Sequence, residues 1–342
     1  MRILVLALAV LVAAPAPAAA PLIVAHRGAS GERPEHTLAA YERAIDAGAH
    51  FIEPDLVVTK DLVLVARHEN ELSDTTDVAS REEFEDRHRS KEIDGQLVAG
   101  WFTEDFTLPE LRTLRAKERL PALRPGNARY DGLYQVPTFA EIVVLVRAKA
   151  AERGHAVGLY PELKHPAFLL EQGIDSVDLL VAALKEERLD GKDAPLFIQC
   201  FEVAALQRLD KRVDARLVQL VASEGGPADE PGMTYAEMLT PSGLAEVAKY
   251  ADAIGANVLQ VVGPDGKPTG LVEAAHGAGL KVHAWTLRKE NAFLPPALRT
   301  GTVESDSGNY AAAWSLLAAA GVDAIVTDDP ALAAPLMRSA RP

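Results

Sequence analysis

Cysteine is nearly missing from this chain: Cys200 is the only one in 342 residues, so no internal disulfide can form and the core alone must hold the fold. It sits in the apolar run PLFIQCF (195–201) with no activating base beside it, which reads as a buried thiol and not a nucleophile. Basic tracts are missing too. With 49 acidic against 35 basic residues the formal net charge is −14, which argues against a nucleic-acid partner. An anionic ligand would meet overall repulsion, so a phosphate site requires positive charge concentrated locally. Neither GxGxxG nor GxxxxGK[ST] follows the first strand pattern, which speaks against a nucleotide-binding sheet. The apolar run from Ile3 to Ala14 is shorter than the ~20 residues a spanning helix needs. Arg2 precedes it, and Pro15, Pro17 and the small residues Ala18 to Ala20 follow, as in a cleaved secretory leader. Residues 1–20 are therefore expected to direct export to the periplasm or medium, with no stable membrane anchor and a mature domain over 21–342.

What is present is a rhythm. Short β-like runs at 22–26, 50–58, 63–68, 157–164, 195–201, 216–221, 281–287 and 323–328, and a weaker one at 253–262, alternate with helical patterns. In the first helical pattern Leu38, Tyr41 and Ile45 share a face and Gly48 stands at the stop position. Apolar strands alternating with amphipathic helices imply a parallel sheet covered by helices. About eight such units predict an α/β fold of the (β/α)₈ TIM barrel kind. The polar stretch 70–136 breaks the rhythm and is too long for an ordinary loop, so it reads as an insertion after the second strand region, over one barrel mouth.

Barrel enzymes place reactive groups where strands end. His26 and Arg27 end the first run, Glu53 and Asp55 lie in the second, His68 ends VLVARH, and Glu162 and Lys164 end the next. Glu53 and Asp55 are two apart on a strand and share a face. If that face is the barrel interior, with Glu162 alongside, each pair of like charges ~6 Å apart repels by roughly 2–3 kcal/mol at an effective dielectric of ~20. A divalent cation would relieve this, and all-oxygen ligation selects Ca²⁺ or Mg²⁺ over zinc. The same spacing also suits surface carboxylates on an edge strand, and spacing alone leaves both readings open. His26 and His68 are candidates for general acid and base. Arg27 offers a fork for phosphate oxygens and Lys164 a point charge. Gln199, Gln219 and Trp285 are further strand-end candidates for lining a pocket, Trp285 as an apolar wall or as packing. Asp328 and Asp329 before Pro330 read as a turn or helix start.

These residues carry a resemblance. The segment AHRGASGERPEHTLAAYERAIDAGAHFIEPDLVVTKDLVLVARHE, followed by YPELKHP, FIQCFE, LVQL, YADAIG and AIVTDDP, closely resembles the glycerophosphodiester phosphodiesterase family over nearly the whole mature chain, and its periplasmic bacterial branch most. The resemblance implies a (β/α)₈ barrel that hydrolyses glycerophosphodiesters to sn-glycerol 3-phosphate and an alcohol, by way of a cyclic phosphate. It implies His26 and His68 as the acid/base pair, Arg27 and Lys164 at the phosphate, and a cation on Glu53, Asp55 and Glu162, commonly Ca²⁺ in the periplasmic branch and Mg²⁺ elsewhere. The sequence departs from the family's pattern at Glu69, where Asp usually follows the histidine, and at Trp285, where many relatives carry Tyr. Two rival expectations stand beside it: an exported phospholipase acting on lysolipids or sphingolipids, for which Trp101, Phe102 and Phe106 would supply a hydrophobic lip, and a periplasmic binder of phosphorylated polyols without turnover.

Overall fold

The computed structural model describes residues 20–339, so the leader expectation falls outside the described residues except at Ala20. Among those residues no helix is long and apolar enough to cross a membrane. The first half of the chain supplies β1 (Leu22–His26), β2 (Phe51–Glu53), β3 (Asp55–Val58), β4 (Leu64–Ala66), β5 (Arg89–Ile93) and β6 (Gln96–Gly100). The second half supplies β7 (Gly158–Leu159), β8 (Glu162–Leu163), β9 (Phe197–Cys200), β10 (Arg216–Val221), β11 (Ala253–Asn257), β12 (Lys281–Leu287) and β13 (Ala324–Thr327).

Prolines punctuate two of the staves. Pro54 divides β2 from β3 and Pro161 divides β7 from β8, because proline has no N–H to give the ladder. Each proline carbonyl still accepts: Glu162 N–H donates to Pro54 O at 3.0 Å and Gln199 N–H to Pro161 O at 2.9 Å. Each broken pair therefore acts as one stave. β1 pairs in parallel with both β2 and β13, and parallel ladders run on through β7/β8, β9, β10, β11 and β12 back to β13. The sheet thus closes into a barrel of eight parallel staves. β4 is not one of them. It returns antiparallel along β3, so the 63–68 run, expected as a strand of the series, is a turn-back that carries the chain out of the barrel.

Helices follow most staves, at Leu38–Ala47, Phe139–Arg153, Ser176–Glu186, Val203–Asp210, Pro241–Val247, Leu271–Gly277, Tyr310–Ala319 and Pro330–Ser339. The first is N-capped by Thr37 and stopped by Gly48, whose φ of 103° only glycine adopts easily. Its buried face is Tyr41, Ala44 and Ile45, while Leu38, expected there, points outward. The weak run 253–262 splits into β11 and a helical turn, Val258–Val261.

The strand period of two sets the barrel's contents. Val24, Phe51, Tyr160 and Phe197 point inward and form one apolar cluster with Val218, Ala253 and Val326. Two residues further along the same strands, the same faces carry His26, Glu53, Glu162 and Gln199. An apolar plug therefore lies beneath a polar C-terminal end.

The chain between β4 and the helix Phe139–Arg153 folds into short 3₁₀ turns, the β5/β6 hairpin and an apolar cluster that includes Leu72, Val78, Phe84, Phe106, Leu111 and Leu114, resting on Val57 and Val65. Asp94 and Gly95 close the hairpin with φ of 50° and 75°, the left-handed pair that a two-residue turn requires. Phe102 and Phe106 are fully buried, and Trp101 Nε1–H donates to Phe84 O at 2.6 Å. Phe102 and Phe106 are core, and Trp101 is half-buried against the second apolar cluster.

Glu118 in this segment is buried, accepting from Leu120 N–H at 2.9 Å and from the Asn127 amide. Burial pushes its carboxyl up to about 7. A carboxyl raised above its unfolded value near 4.5 contributes stability below that value and loses it as pH rises through about 7. Glu118→Gln is therefore expected to melt with the wild type at pH 5 and to be more stable by about 1–3 kcal/mol at pH 8, read as a difference in Tm.

Candidate active site

His26, Arg27, Glu53, His68, Glu162, Lys164, Gln199 and Trp285 all line one cavity of about 590 Å³ at the C-terminal end of the barrel. Asp55 lies beneath it, fully buried. Glu53, Asp55 and Glu162 each present one oxygen within 4.8 Å of the others. The choice between an inward triad and edge-strand surface carboxylates is thereby settled for the interior.

Each carboxylate is held differently. Glu53 accepts from Arg27 N–H at 2.8 Å and from the Gln199 amide at 2.7 Å, with no cationic side chain in pairing range. Burial, then Asp55 and Glu162, push its carboxyl well above the usual range. Asp55 accepts from His36 Nε2 at 2.9 Å and lies 3.7 Å from Lys164 Nζ. Burial opposes its ionisation, but Lys164 and His36 overcome that and hold it well below the ordinary carboxylate value. Glu162 lies 2.6 Å from Lys164 Nζ, yet burial and the Asp55 charge outweigh that ion pair and raise it to about 8. Asp55 Oδ1 and Glu162 Oε1 are buried without a well-formed hydrogen bond. Two such oxygens beside a third carboxylate are the donor set a hard divalent cation takes, so the residues fit a Ca²⁺- or Mg²⁺-class ion.

Both histidines rest on carboxylates. His26 Nδ1 lies 2.6 Å from Asp328 Oδ1, and His68 Nδ1 is hydrogen-bonded to Glu69. A carboxylate only accepts, so each ring donates Nδ1–H and keeps Nε2 for other work. Burial and then Arg27 lower His26 to about 4, and the same two causes with Lys164 lower His68 to about 3. Both rings are therefore neutral bases near pH 7, and the negative charge of a bound phosphodiester works in the opposite direction. Arg27, buried with its Nη1 3.0 Å from Glu35, stays charged between Glu35 and Asp55.

Several participants escaped the sequence reading. Asp328 does precede a helix, but it is also buried against His26, Arg124 and Arg288, with its Oδ2 2.6 Å from Arg124 Nη2 and 2.9 Å from Arg288 Nε. The strand-end rule that singled out Glu162 applies equally to an acid ending β13 and would have found it. His36, which the sequence reading did not single out, bridges Asp55 and the Tyr41 hydroxyl from a left-handed backbone of φ 53°. Nothing in its spacing points there. Glu35 and Glu69 both bind Arg119, at 2.7 and 2.6 Å, which ties the 70–136 segment to the site. Two expected lining residues have other duties. Gln199 spends its amide on Glu53, and Gln219 is fully buried with its amide on backbone carbonyls, because its stave directs it away from the cavity. Trp285 combines both of its readings: it lines the cavity, packs edge-to-face on Phe201, and donates Nε1–H to Gly255 O at 2.9 Å.

A cavity that sets Arg27 and Lys164 beside a buried acidic triad, with two neutral imidazoles in its lining, has the equipment of a phosphoric diester hydrolase built on a (β/α)₈ barrel. Comparison with known proteins agrees. Residues 26–332 match the glycerophosphoryl diester phosphodiesterase family, and the chain belongs to that family. It is 37% identical over 290 residues to glycerophosphodiester phosphodiesterase GDPD6 of Arabidopsis thaliana, covering 80% of this chain and 76% of that one. It is 32% identical over 297 residues to the glycerophosphodiester phosphodiesterase of Haemophilus influenzae, covering 79% of each. In fold it is similar to a putative glycerophosphoryl diester phosphodiesterase from Silicibacter pomeroyi, with TM-score 0.67, 23% identity and 95% of each chain covered. It is also similar to an Oleispira antarctica phosphodiesterase solved in complex with sn-glycerol-3-phosphate, with TM-score 0.61, 20% identity, and 94% of this chain and 96% of that one covered. The chain is accordingly an enzyme, a glycerophosphodiester phosphodiesterase.

Proposed function

We propose that the enzyme cleaves glycerophosphodiesters to sn-glycerol 3-phosphate and an alcohol in two acid/base steps. The observation that carries this reading is the convergence of Glu53, Asp55 and Glu162 beneath a cavity that both carboxylate-backed histidines line. Glu53, Asp55 and Glu162 would hold a divalent cation, Ca²⁺ in preference to Mg²⁺. When bound, it supplies a Lewis acid that polarises the phosphoryl oxygens and lowers the pKa of a coordinated hydroxyl.

This chain's own groups do the rest. Arg27 and Lys164 hold the non-bridging phosphate oxygens. One imidazole Nε2 accepts the proton of the neighbouring glycerol hydroxyl as that oxygen attacks phosphorus. The other, which takes up a proton as the anionic diester binds beside it, gives that proton to the departing alkoxide, which leaves as the free alcohol. The product of this step is a cyclic phosphate. In the second step the roles reverse: one ring takes a proton from water, and the ring opens as the other returns one to the glycerol oxygen. Asp328 and Glu69 fix the tautomers and stabilise whichever ring is charged. Trp285 forms an apolar wall, and the 70–136 segment caps the glycerol end through Arg119. Residues 1–20 would export the enzyme to the periplasm, where an N-terminus near residue 21 in the periplasmic fraction is expected.

Hydrolysis of glycerophosphocholine is expected to fall at least ~10²-fold on chelation and to recover with Ca²⁺ or Mg²⁺. Turnover that persists in chelator would remove the cation from the reading. Turnover confined to micellar lipid would replace the substrate class with lysolipids, for which the burial of Phe102 and Phe106 leaves no lip.

A further inference from the structure

One short stretch of the 70–136 segment makes contacts that capping alone does not require. Arg119 and Arg124 are five apart in sequence. A hydrogen-bonded turn joins them, in which Leu123 and Arg124 N–H both donate to Leu120 O, at 3.0 and 2.8 Å. Leu120 N–H donates in turn to the buried Glu118 at 2.9 Å. From this turn the two guanidinium groups reach the two carboxylates that back the histidines.

Arg119 forks onto Glu69, with Nη1 donating to Oε1 at 3.0 Å and Nη2 to Oε2 at 2.6 Å. Glu69 Oε1 also accepts from His68 Nδ1. The other edge of the same guanidinium donates to Glu35, from Nε at 2.9 Å and from Nη2 at 2.7 Å. Arg124 repeats the arrangement at the second ring. Its Nη2 donates to Asp328 Oδ2 at 2.6 Å and leaves Oδ1 for His26. Its Nε donates to Glu290 Oε1 at 2.7 Å and its Nη1 to Ser30 O at 3.0 Å. The Ser30 hydroxyl donates to His26 O at 2.8 Å, so Arg124 reaches both the carboxylate behind the ring and the backbone that carries it.

A carboxylate that backs a histidine must stay ionised and keep its plane, because a protonated or rotated carboxyl no longer selects the Nδ1–H tautomer. Burial opposes ionisation of both acids. Arg288, Arg124 and His26 overcome it at Asp328, and His68 with Arg119 does so at Glu69.

We infer that Arg119 and Arg124 are positioning residues for the acid/base pair, acting through Glu69 and Asp328, so that one turn of the 70–136 segment sets both rings. The inference rests on the roles given above to His26 and His68. Those rings exchange roles between the two steps, so each needs Nδ1–H held throughout while Nε2 gains and loses a proton.

Arg119 gives the cleaner test. Among the described residues it is the one arginine paired with Glu69, whereas Asp328 also accepts from Arg288 Nε at 2.9 Å. Arg119→Met is expected to lower kcat for glycerophosphocholine by about tenfold and to move KM by less than about twofold. In a Glu69→Gln background the same substitution should cost less than about twofold, since the route to His68 is already cut. In ¹⁵N-histidine-labelled Arg119→Met, His68 should pass toward the Nε2–H tautomer that free imidazole prefers, while His26 stays Nδ1–H. At the other arm Glu290 is fully buried against Arg124, so Arg124→Gln is combined with Glu290→Gln to avoid stranding a charge. That pair should lower kcat by about threefold, with Arg288 still on Asp328, and should have no further effect in Asp328→Asn. Multiplication of the Arg119 and Glu69 losses, a loss carried by KM, or an unchanged His68 tautomer would overturn the inference, making Arg119 a structural tie or a substrate contact. Full turnover in His26→Ala and His68→Ala would instead remove the acid/base reading beneath it.

Discussion

His26→Ala and His68→Ala are each expected to lower kcat for glycerophosphocholine by about 10²–10⁴-fold, the range a positioned acid or base contributes. The two rings stand on different elements, His26 at the end of β1 and His68 just past β4, each with its Nδ1 consumed by a carboxylate and its Nε2 left over. Neither belongs to the carboxylate triad, so the rise in Tm on adding Ca²⁺ should survive in both variants. The losses should not multiply in the double variant, because a diester cleaved without its base gains little from its acid. Unfolding of both variants would instead make the histidines core residues and dismantle the assignment. Glu69→Gln offers a graded check, since it weakens His68 as a base without moving it. It should lower kcat by about tenfold with KM nearly unchanged.

Glu53→Gln carries the second large effect, and its sign differs between activity and stability. Of the triad, Glu53 alone has no cationic side chain in pairing range, and burial with its two acidic neighbours already resists its ionisation. In chelator near pH 8 the variant should therefore melt above the wild type, by the equivalent of about 1–3 kcal/mol, because a poorly compensated buried charge has gone. With cation present the order should reverse. The wild type gains about 2.7 kcal/mol when free cation is a hundred times Kd, whereas the variant gains far less. Activity should fall by about 10³-fold, since polarisation of the phosphoryl group is worth several kcal/mol. Calorimetry in chelator and in Ca²⁺, with activity measured in both buffers, reads all three. A variant less stable than the wild type in chelator would mean that Glu53 is a structural acceptor for Arg27 N–H and the Gln199 amide, and that the floor of the site is not a cation seat.

How far the amino-acid order reaches, and where it stops, follows from the range of the forces involved. Local patterns decided the elements: apolar runs short enough for strands, a helix stopped by Gly48, and an alternation that only a helix-covered parallel sheet satisfies. The same period of two placed Glu53 beside Asp55 and His26 at a strand end. It did not decide which face was interior, because that depends on which strands flank β1. The barrel closes only when Leu22–Ala25 find Ala324–Thr327 across the length of the chain. That pairing is non-local, and no periodicity near either segment encodes it. Once it forms, His26 meets Asp328 across 302 positions and Arg124 meets the same carboxylate across 204. His36 turns onto Asp55 because its backbone is left-handed, a conformation imposed by the packed loop and not by the residue. The chemical types at the staves' ends were therefore set by sequence alone. Their partners, their charge states and the cavity they share were set by closure, which buries the carboxylates together and makes each pKa a property of its neighbours.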